Sequence, residues 1–417
     1  MSAQPRTDTT ADLSFPALRD PAFRIYFLAS ALAMMADSIE HVISYWVMFQ
    51  KFHSQSLAGF AVVSHWVPFL LFSVYAGALA DRFDPRRIIQ LGMLCFIVAS
   101  AGWGYFFVTD TLEMWHAMVL LVIHGFAGVL WGPASQLLVQ YIVQPKILSS
   151  AVRLNATARW LGLLFGPAVG SVLMLAVGPT WGLFVNIVFY VPLLWWLWKA
   201  PYGPKFSGVA SRAARAVRGF ADIWTTMRDV AGNRTIVSMT LLAGVASLCV
   251  GNAYQAQMPE FAEHLGHGDA GVAYSMLLAA DAAGALIAGF VLESRGLLQP
   301  RTRTAFVLAM LWCAAIVGFA ASQSYALAFA LLFVAGFLQL AFSAMAQTLV
   351  QIEAPHEIRG RVIGLYSMSA LGLRAFSGVT VGILGSLIGI HWSLALSAMV
   401  LLAVTAVLAG FATRPTA

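Results

Sequence analysis

The sequence has 417 residues, of which 60% are hydrophobic and only 10% are charged, and its formal net charge is +6. An average globular domain carries about a quarter charged residues, so this composition excludes an ordinary soluble fold. Apolar stretches long enough to cross about 30 Å of hydrocarbon as a helix recur from Phe23 to the end of the chain. Lipid offers the backbone no hydrogen-bonding partners, so these stretches must be helical and we expect an all-α membrane protein.

The apolar stretches predict twelve transmembrane helices in chain order. Their approximate bounds are 23–50, 57–80, 88–108, 113–143, 150–176, 180–199, 234–259, 270–293, 304–322, 325–352, 360–388 and 391–412. The first stretch contains Ala29-Ser30-Ala31, which resembles a signal-peptide cleavage site. Because the apolar run continues past it to Phe49, we expect a retained membrane helix and a chain that begins near Met1.

The lysine and arginine positions predict the orientation of these helices, since short cytoplasmic loops collect positive charge. With the loops assigned alternately to two sides, one side receives all 24 basic residues except Lys51, Arg153, Arg159 and Arg374. Lys51 falls in a loop on the other side, and the three arginines lie inside or near helices. We therefore expect both termini in the cytoplasm and a multi-pass protein of the cell inner membrane. The partner is then the lipid bilayer and no nucleic acid, because the basic residues carry no nucleic-acid motif.

A polar stretch divides the chain into two parts. We predict a cytoplasmic tail at 1–22, a six-helix bundle at 23–199, a linker at 200–233, and a second six-helix bundle with a short tail at 234–417. Within the linker, Val217, Phe220, Trp224 and Met227 recur at helical spacing beside several arginines. This pattern favours an amphipathic helix along the membrane surface, with docking to a partner protein as the alternative.

The two bundles repeat each other. Residues 136–140 (Gln-Leu-Leu-Val-Gln) are followed by Pro145, and residues 347–351 (Gln-Thr-Leu-Val-Gln) are followed by Pro355. Gly77 and Asp81 similarly recur as Gly289 and Glu293. The repeats indicate a duplicated six-helix unit with parallel topology, a design that transporters use.

Residues 77–87, which read Gly-Ala-Leu-Ala-Asp-Arg-Phe-Asp-Pro-Arg-Arg, resemble the signature loop between helices 2 and 3 of the major facilitator superfamily. Residues 348–367 are similar to the region of helices 10 and 11 in the branch that includes enterobactin exporters and related drug-efflux proteins. The resemblance implies an alternating-access carrier with a central cavity between two pseudo-symmetric six-helix bundles. Asp84 and Pro85 depart from the usual signature.

The resemblance also implies a gate that locks the cytoplasmic side. Its candidate residues are Gly77, Asp81, Arg82, Arg86, Arg87 and Glu293. An aspartate at a helix end can accept charge-assisted hydrogen bonds and meet a helix N-terminus of the other bundle. The alternative is that these charges only set the topology.

Ionisable residues inside membrane helices are costly, so each is a functional candidate. In the first helix Asp37, Glu40, His41 and Ser44 fall on one face. Two nearby carboxylates in a low dielectric favour holding a proton, which suits reversible proton coupling. A satisfied structural network is the alternative. Asp281, in the eighth helix, is a further candidate for proton coupling.

Further polar residues within the apolar stretches are candidates for a substrate cavity. They are Arg159, Arg374, Asn155, Asn252, Gln255, His65 and His124. The two arginines could bind an anionic substrate, or could pair with Asp37, Glu40 or Asp281. The sequence leaves these two interpretations open.

Our first functional interpretation is a secondary transporter that exports a small organic compound, drug-like or siderophore-like, in exchange for protons, as a monomer. The runner-up is a proton-coupled importer of a small anionic solute. A third possibility, from another class, is a membrane acyltransferase, suggested weakly by the spacing of His264 and Asp269, or a non-transporting sensor. No cofactor motif, metal-ligand spacing or nucleotide-binding loop is visible in the sequence, so we expect no enzyme.

Overall fold

The computed structural model describes residues 15–52, 55–203, 219–251, 253–256, 258–266, 270–295, 299–377, 380–381 and 384–413, and these ranges contain helices and no strands. The helices of the N-terminal part are α1 (Pro21–Phe52), α2 (Gln55–Arg82), α3 (Pro85–Val108), α4 (Met114–Ile142), α5 (Leu148–Val188) and α6 (Val191–Lys199). Helix α7 (Ala221–Val230) lies in the predicted linker. The C-terminal part contains α8 (Arg234–Cys249), α9 (Ala253–Ala256), α10 (Met258–His264), α11 (Ala270–Arg295), α12 (Thr302–Ala321), α13 (Tyr325–Glu353), α14 (Arg359–Ala370), α15 (Leu384–Ile388) and α16 (Ile390–Thr413). One-turn 3-10 segments precede α1, α5 and α14, and a longer one, Gly372–Phe376, follows α14.

The apolar composition of the helices agrees with a membrane protein. Among the described residues, eight spans are long and apolar enough to cross a membrane, and Arg234–Cys249 and Met276–Leu292 are shorter apolar segments. Helix α5 runs through the predicted boundary between the fifth and sixth spans. Its helical path breaks there at Gly178, with φ 79° and ψ 165°, so the boundary lies where the sequence predicts it.

The seventh and eleventh predicted spans are broken, and the expectation of continuous helices there was wrong. Helix α8 stops before Gly251, whose φ of 49° lies in the left-handed region. The hydroxyl of Thr380 donates to the carbonyl of Leu248 (2.7 Å), and the hydroxyl of Ser247 donates to the carbonyl of Ala370 (2.5 Å). The two broken spans thus satisfy each other's carbonyl groups, which a membrane interior requires.

The two halves pack against each other chiefly through α2 with α14 and α5 with α11. At Gly77 in α2 the backbones nearly touch, because a Cβ built there would lie 2.1 Å from the carbonyl oxygen of Gly360. Small residues let helices approach closely in a membrane. Only glycine fits at position 77 in this arrangement.

The two copies of the repeated motif, residues 136–140 and 347–351, contact each other at the interface between the halves. Gln140 Nε2 donates to Gln351 Oε1 (3.2 Å), and the two glutamines are 211 positions apart, as the repeat requires. Gln136, the first residue of the same motif, donates to the hydroxyl of Ser367 (3.4 Å). Equivalent residues that pair with each other lie at a pseudo-twofold axis, which is the arrangement expected of a parallel duplication.

The linker helix α7 packs with α14 and α2. Its Asp222, Thr226 and Val230 are buried, whereas Phe220 and Trp224 are exposed. The apolar stripe predicted from the sequence therefore faces away from the bundle. Val217 lies outside the described residues.

Ion pairs lie at both ends of the bundle. We call the end that contains Asp81 and α7 the linker end. At the other end the ammonium group of Lys51 lies 2.8 Å from Asp110. This hydrogen bond, together with the positive charge, holds the pKa of the exposed Asp110 carboxyl below its usual value.

Candidate functional site

A cavity of about 440 Å³ lies between the two halves. Binding sites for small molecules typically enclose about 300–1,000 Å³, so this volume suits an organic solute. The predicted site residues on its wall are Asp37, His41, His65, Asn155, Arg159, Gln255 and Arg374. Asn252 lies outside the described residues, and neither Glu40 nor His124 reaches the wall.

A buried cluster of two acids and a histidine adjoins the cavity. His124 Nδ1 lies 2.8 Å from Glu40 Oε1, and His124 Nε2 lies 2.9 Å from Asp37 Oδ1, the second contact being an ion-pair contact rather than an aligned hydrogen bond. An imidazole can donate from both nitrogens only as a cation. His124 is 3% exposed, so its predicted place on the cavity wall is wrong: the two carboxylates of α1 hold it inside the N-terminal half.

Two further polar residues hold this cluster in place. Ser100 on α3 donates to Glu40, and Asn186 Nδ2 on α5 donates to the carbonyl of Ala36 (2.9 Å). Sequence reasoning missed both residues. The signal available was a polar side chain within an apolar stretch, which by itself does not distinguish packing from function.

Three imidazoles come together beside the cluster. Nitrogen atoms of His41, His65 and His124 lie within 4.8 Å of one another, close enough for a single metal ion. Both nitrogens of His124 face carboxylates, however, at 2.8 and 2.9 Å, so the two acids lie where a metal ion would have to approach this ring. The residues come from three helices, and no ligand spacing in the sequence predicts their approach.

Asp281 forms a separate polar site in the C-terminal half. Its Oδ2 accepts hydrogen bonds from the hydroxyl of Tyr254 (3.2 Å) and from Gln255 Nε2 (3.1 Å). Its Oδ1 has no partner among the described residues. Asp281 is 1% exposed and does not line the cavity, although Gln255 does.

The acid of the signature loop bridges the two halves. Asp81, at the end of α2, accepts hydrogen bonds from the backbone N–H of Gly360 (2.5 Å) and of Arg361 (2.9 Å) at the start of α14. A carboxylate at a helix N-terminus is stabilised by the helix dipole. Arg361 Nη1 also lies 3.4 Å from Asp81, and Arg361 Nε donates to Asp222 on α7 (3.3 Å). The sequence predicted a contact with a helix N-terminus but missed Arg361 and Asp222 as partners.

The contacts described for Arg86 lie within the N-terminal part of the chain, and the gate role that the resemblance implies for the loop arginines stays a prediction. Arg86 pairs with Asp84 (2.5 Å) and donates to the carbonyl of Ala200, which ties the start of α3 to the end of α6. Asp84, which departs from the usual signature, also caps α3 by accepting from the backbone of Arg86 (3.0 Å). Asp84 thus provides a helix cap and an ion pair at a position where the usual signature has another residue.

Arg82 and Arg87 of the predicted gate contact neighbouring side chains. Arg87 donates to Gln90 (2.8 Å), and Arg82 lies over the ring of Phe83. The side chain of Glu293 lies outside the described part of the chain. His264 stacks on His391 (5.4 Å between ring centroids), and Asp269 is not among the described residues, so their proposed pairing has no described geometry.

Residues 13–417 match the family model described as transmembrane secretion effector, a branch of the major facilitator superfamily. The chain belongs to this family. A staphyloferrin A transporter of Staphylococcus aureus (strain NCTC 8325 / PS 47) is 21% identical over 173 residues, which are 41% of this chain. The match spans 44% of that relative's length.

Solved structures of the superfamily share the fold. The Escherichia coli fucose:proton symporter superposes with a TM-score of 0.74 at 12% identity, covering 94% of this chain and 98% of the symporter. A human organic anion transporter gives a TM-score of 0.72 at 14% identity, covering 94% and 99%. At these identities the likeness shows the major facilitator fold and no activity. Together with the family match and the apolar helices, it identifies the chain as a multi-pass membrane protein.

Proposed function

We propose that this transporter exports a small organic compound by proton antiport through alternating access. The observation that carries the proposal is the buried set of Asp37, His124 and Glu40 beside the cavity. Titratable groups withdrawn from water and held against one another are suited to binding and releasing a proton.

The geometry supports a route for the proton. Asp37 lies on the cavity wall, and Glu40, 2% exposed, lies behind it. His124 touches both acids and carries one proton between them when it is a cation. When His124 is neutral with its proton on Nδ1, Nε2 takes up a proton that enters from the cavity at Asp37, and the resulting cation releases its Nδ1 proton to Glu40. The cluster then changes its net charge by one unit, and that change biases the equilibrium between the two halves.

Asp81, Gly77 and the start of α14 form the gate in this proposal. The halves meet there through backbone hydrogen bonds to a single carboxylate. Opening at the linker end separates these groups and exposes them to water. The arginines at 82, 86 and 87 support the loop that carries Asp81 rather than bridging the halves.

The direction and the substrate type rest on the comparisons. The family description names secretion, and the relative in Staphylococcus aureus is named for a siderophore. Both favour export of a siderophore-like or drug-like molecule. We further propose that the protein is a monomer of the inner membrane with the linker end in the cytoplasm, where most lysines and arginines would then lie.

Purified protein in liposomes that contain a trapped pH indicator tests the coupling. Staphyloferrin A and a panel of cationic dyes are the probes, each applied under an imposed pH gradient. A transported probe is expected to accumulate against its own gradient when only the pH gradient is present, and to move protons in the opposite direction.

Glu40→Gln is expected to abolish this accumulation while probe still exchanges across the membrane without a gradient. Antiport is wrong if a transported probe neither responds to the pH gradient nor moves protons. Symport in the same assay would support the importer, which the two cavity arginines favour, instead of the exporter.

A further inference from the structure

Two arginines from opposite halves reach the same cavity. Arg159 lies on α5, and Arg374 lies on the 3-10 segment that follows α14. Within the described part of the chain, neither guanidinium forms an ion pair or a side-chain hydrogen bond, and Arg374 Nε is buried without a partner. Guanidinium groups away from bulk water are stabilised by paired anions, so the two arginines are suited to binding an anionic group in the cavity.

The rest of the described wall offers one acid, which lies within electrostatic reach of Arg159 but does not form an ion pair with it among the described contacts. Asp37 is the sole acid among the described lining residues, and it already contacts His124 and lies near His41. Apart from the arginines, the other polar lining residues are not acids: they are amides, hydroxyls and histidines. Among the amides, Gln136 and Gln339 have buried carbonyl oxygens without a partner among the described residues. Amide oxygens accept hydrogen bonds but carry no net charge.

Aromatic side chains surround the two arginines. Arg374 Cζ lies 5.3 Å from the ring centroid of Trp66 on α2, a cation–π contact that crosses the two halves. Trp160 and Trp312 also line the cavity. Guanidinium groups pair bidentately with carboxylates, and flat apolar walls suit an aromatic or alkyl body.

We infer that the substrate is an organic carboxylate whose anionic group binds between Arg159 and Arg374 and whose apolar body packs on the tryptophans. The inference rests on the proposed function, since it names the substrate class of that cavity. The inference also explains how substrate binding draws the two halves together around the cavity. Two guanidiniums on opposite halves repel each other, and an anion between them turns this repulsion into attraction.

Binding in detergent, without any gradient, tests the inference separately from coupling and direction. Phenylbutyrate, salicylate and citrate are each compared with the neutral methyl ester, and the melting temperature is measured across a concentration series in chloride-free buffer. A ligand that binds only the folded state raises the melting temperature. We expect saturable stabilisation by at least one acid and an about tenfold to hundredfold weaker effect of its ester, the range expected for a lost charged hydrogen bond.

Variants assign the effect to the arginines. Arg374→Gln and Arg159→Gln should each weaken binding of the acid about tenfold or more. Arg153→Gln is the matched control, because Arg153 lies on the same helix as Arg159 and outside the cavity. The inference is overturned if no acid binds at millimolar concentration, if acid and ester bind equally to the unmodified protein, or if both arginine variants bind as tightly as the control. A failure of proton-driven export alone would leave this result unaffected.

Discussion

His124 contacts two carboxylates, and a proton held in this cluster resides on the imidazole or on one of the two acids. His124 holds Asp37 on the cavity side and Glu40 on the inner side, and each contact is 2.8 or 2.9 Å long. With both acids ionised, the cation neutralises only one of two negative charges. The cluster therefore has room for a further proton, and an amide at either acid removes that capacity.

Replacing the acids tests this capacity. Asp37→Asn and Glu40→Gln are each expected to abolish accumulation driven by a pH gradient while leaving gradient-independent exchange, because an amide cannot take up the proton. Uptake into proteoliposomes with and without the gradient is the measurement. Asp110→Asn is the control, since this exposed acid pairs with Lys51 far from the cavity and should transport normally.

If the double variant Asp37→Asn/Glu40→Gln still concentrates substrate against its gradient, the cluster is structural. Coupling would then be sought at Asp281, a buried acid of the C-terminal half whose Oδ1 has no partner among the described residues. Asp281→Asn in the same assay decides between the two sites.

The periodicity of α1 was enough to predict that Asp37, Glu40 and His41 share one face. Nothing local predicts that His124 and Ser100 meet Glu40, because they lie 84 and 60 residues away. Such contacts depend on the relative register of packed helices. The sequence of one helix does not contain that register, so His124 was assigned to the wrong environment.

At the level of helices, the proposed gate is a junction of three elements. The end of α2 supplies Asp81, the start of α14 supplies two backbone N–H groups and Arg361, and α7 supplies Asp222. Arg361 is fully buried and lies between the two acids. Removing one acidic partner from a buried cation costs free energy of folding. Each of the two acids therefore helps to keep Arg361 in the position where it contacts the other acid.

Asp81→Asn is expected to slow turnover while leaving insertion and folding largely intact. The amide oxygen still accepts one hydrogen bond, but the charged hydrogen bonds to α14 are lost, at about 1.5–3 kcal/mol each. Transport rate at matched expression is the measurement, with the elution profile in detergent as the check on folding. An unchanged rate would remove Asp81 from the gate.

Asp222→Asn tests whether the linker helix belongs to the same junction. The change leaves Asp81 in place but weakens the hold of α7 on Arg361, so the linker end should open more often. We expect greater modification of a cysteine placed at Gln140 by a water-soluble maleimide than in the parent protein. Asp229→Asn, a neighbouring acid on the same helix outside the described Arg361 contacts, is the control, and equal modification in the two variants would exclude a role for Asp222.

Hydropathy located the apolar helices, but it could not predict the breaks after α8 and after α14. A broken span can be as apolar as a continuous one, because side-chain hydroxyls can donate to the carbonyl groups that the break leaves without a backbone donor. Here Ser247 and Thr380 do so across the two spans, and the break after α14 is what places Arg374 on the cavity wall. Gly251 was a visible signal, although a single glycine in an apolar stretch is too common to predict a break.

For the whole molecule, contacts between the halves at the linker end define the state of the transporter. Gln140 meets Gln351 there, and Asp81 meets the start of α14. The proposed alternating access requires the two halves to move against each other around the cavity, so these contacts must separate once in each cycle. A covalent cross-link that holds the two halves together should therefore stop the transport cycle without disturbing the fold of either half.

A cross-link between positions 140 and 351 tests this requirement. Gln140→Cys/Gln351→Cys is made in a background in which Cys95, Cys249 and Cys313 are replaced by alanine, and the protein is treated with a short, reducible bis-thiosulfonate reagent. We expect transport to fall to the level of empty liposomes, and reduction to restore it, because the link holds one conformation of a two-state equilibrium.

The matched control is Lys51→Cys/Asp110→Cys, which places the same link between two residues of the N-terminal half that contact each other at the other end. Since α1 and the loop after α3 move together in a rigid half, this link should leave transport intact. If both links block transport, the reagent acts by some other route. Should the 140–351 link form fully and transport continue, the halves do not separate at the linker end, and alternating access about this interface is wrong.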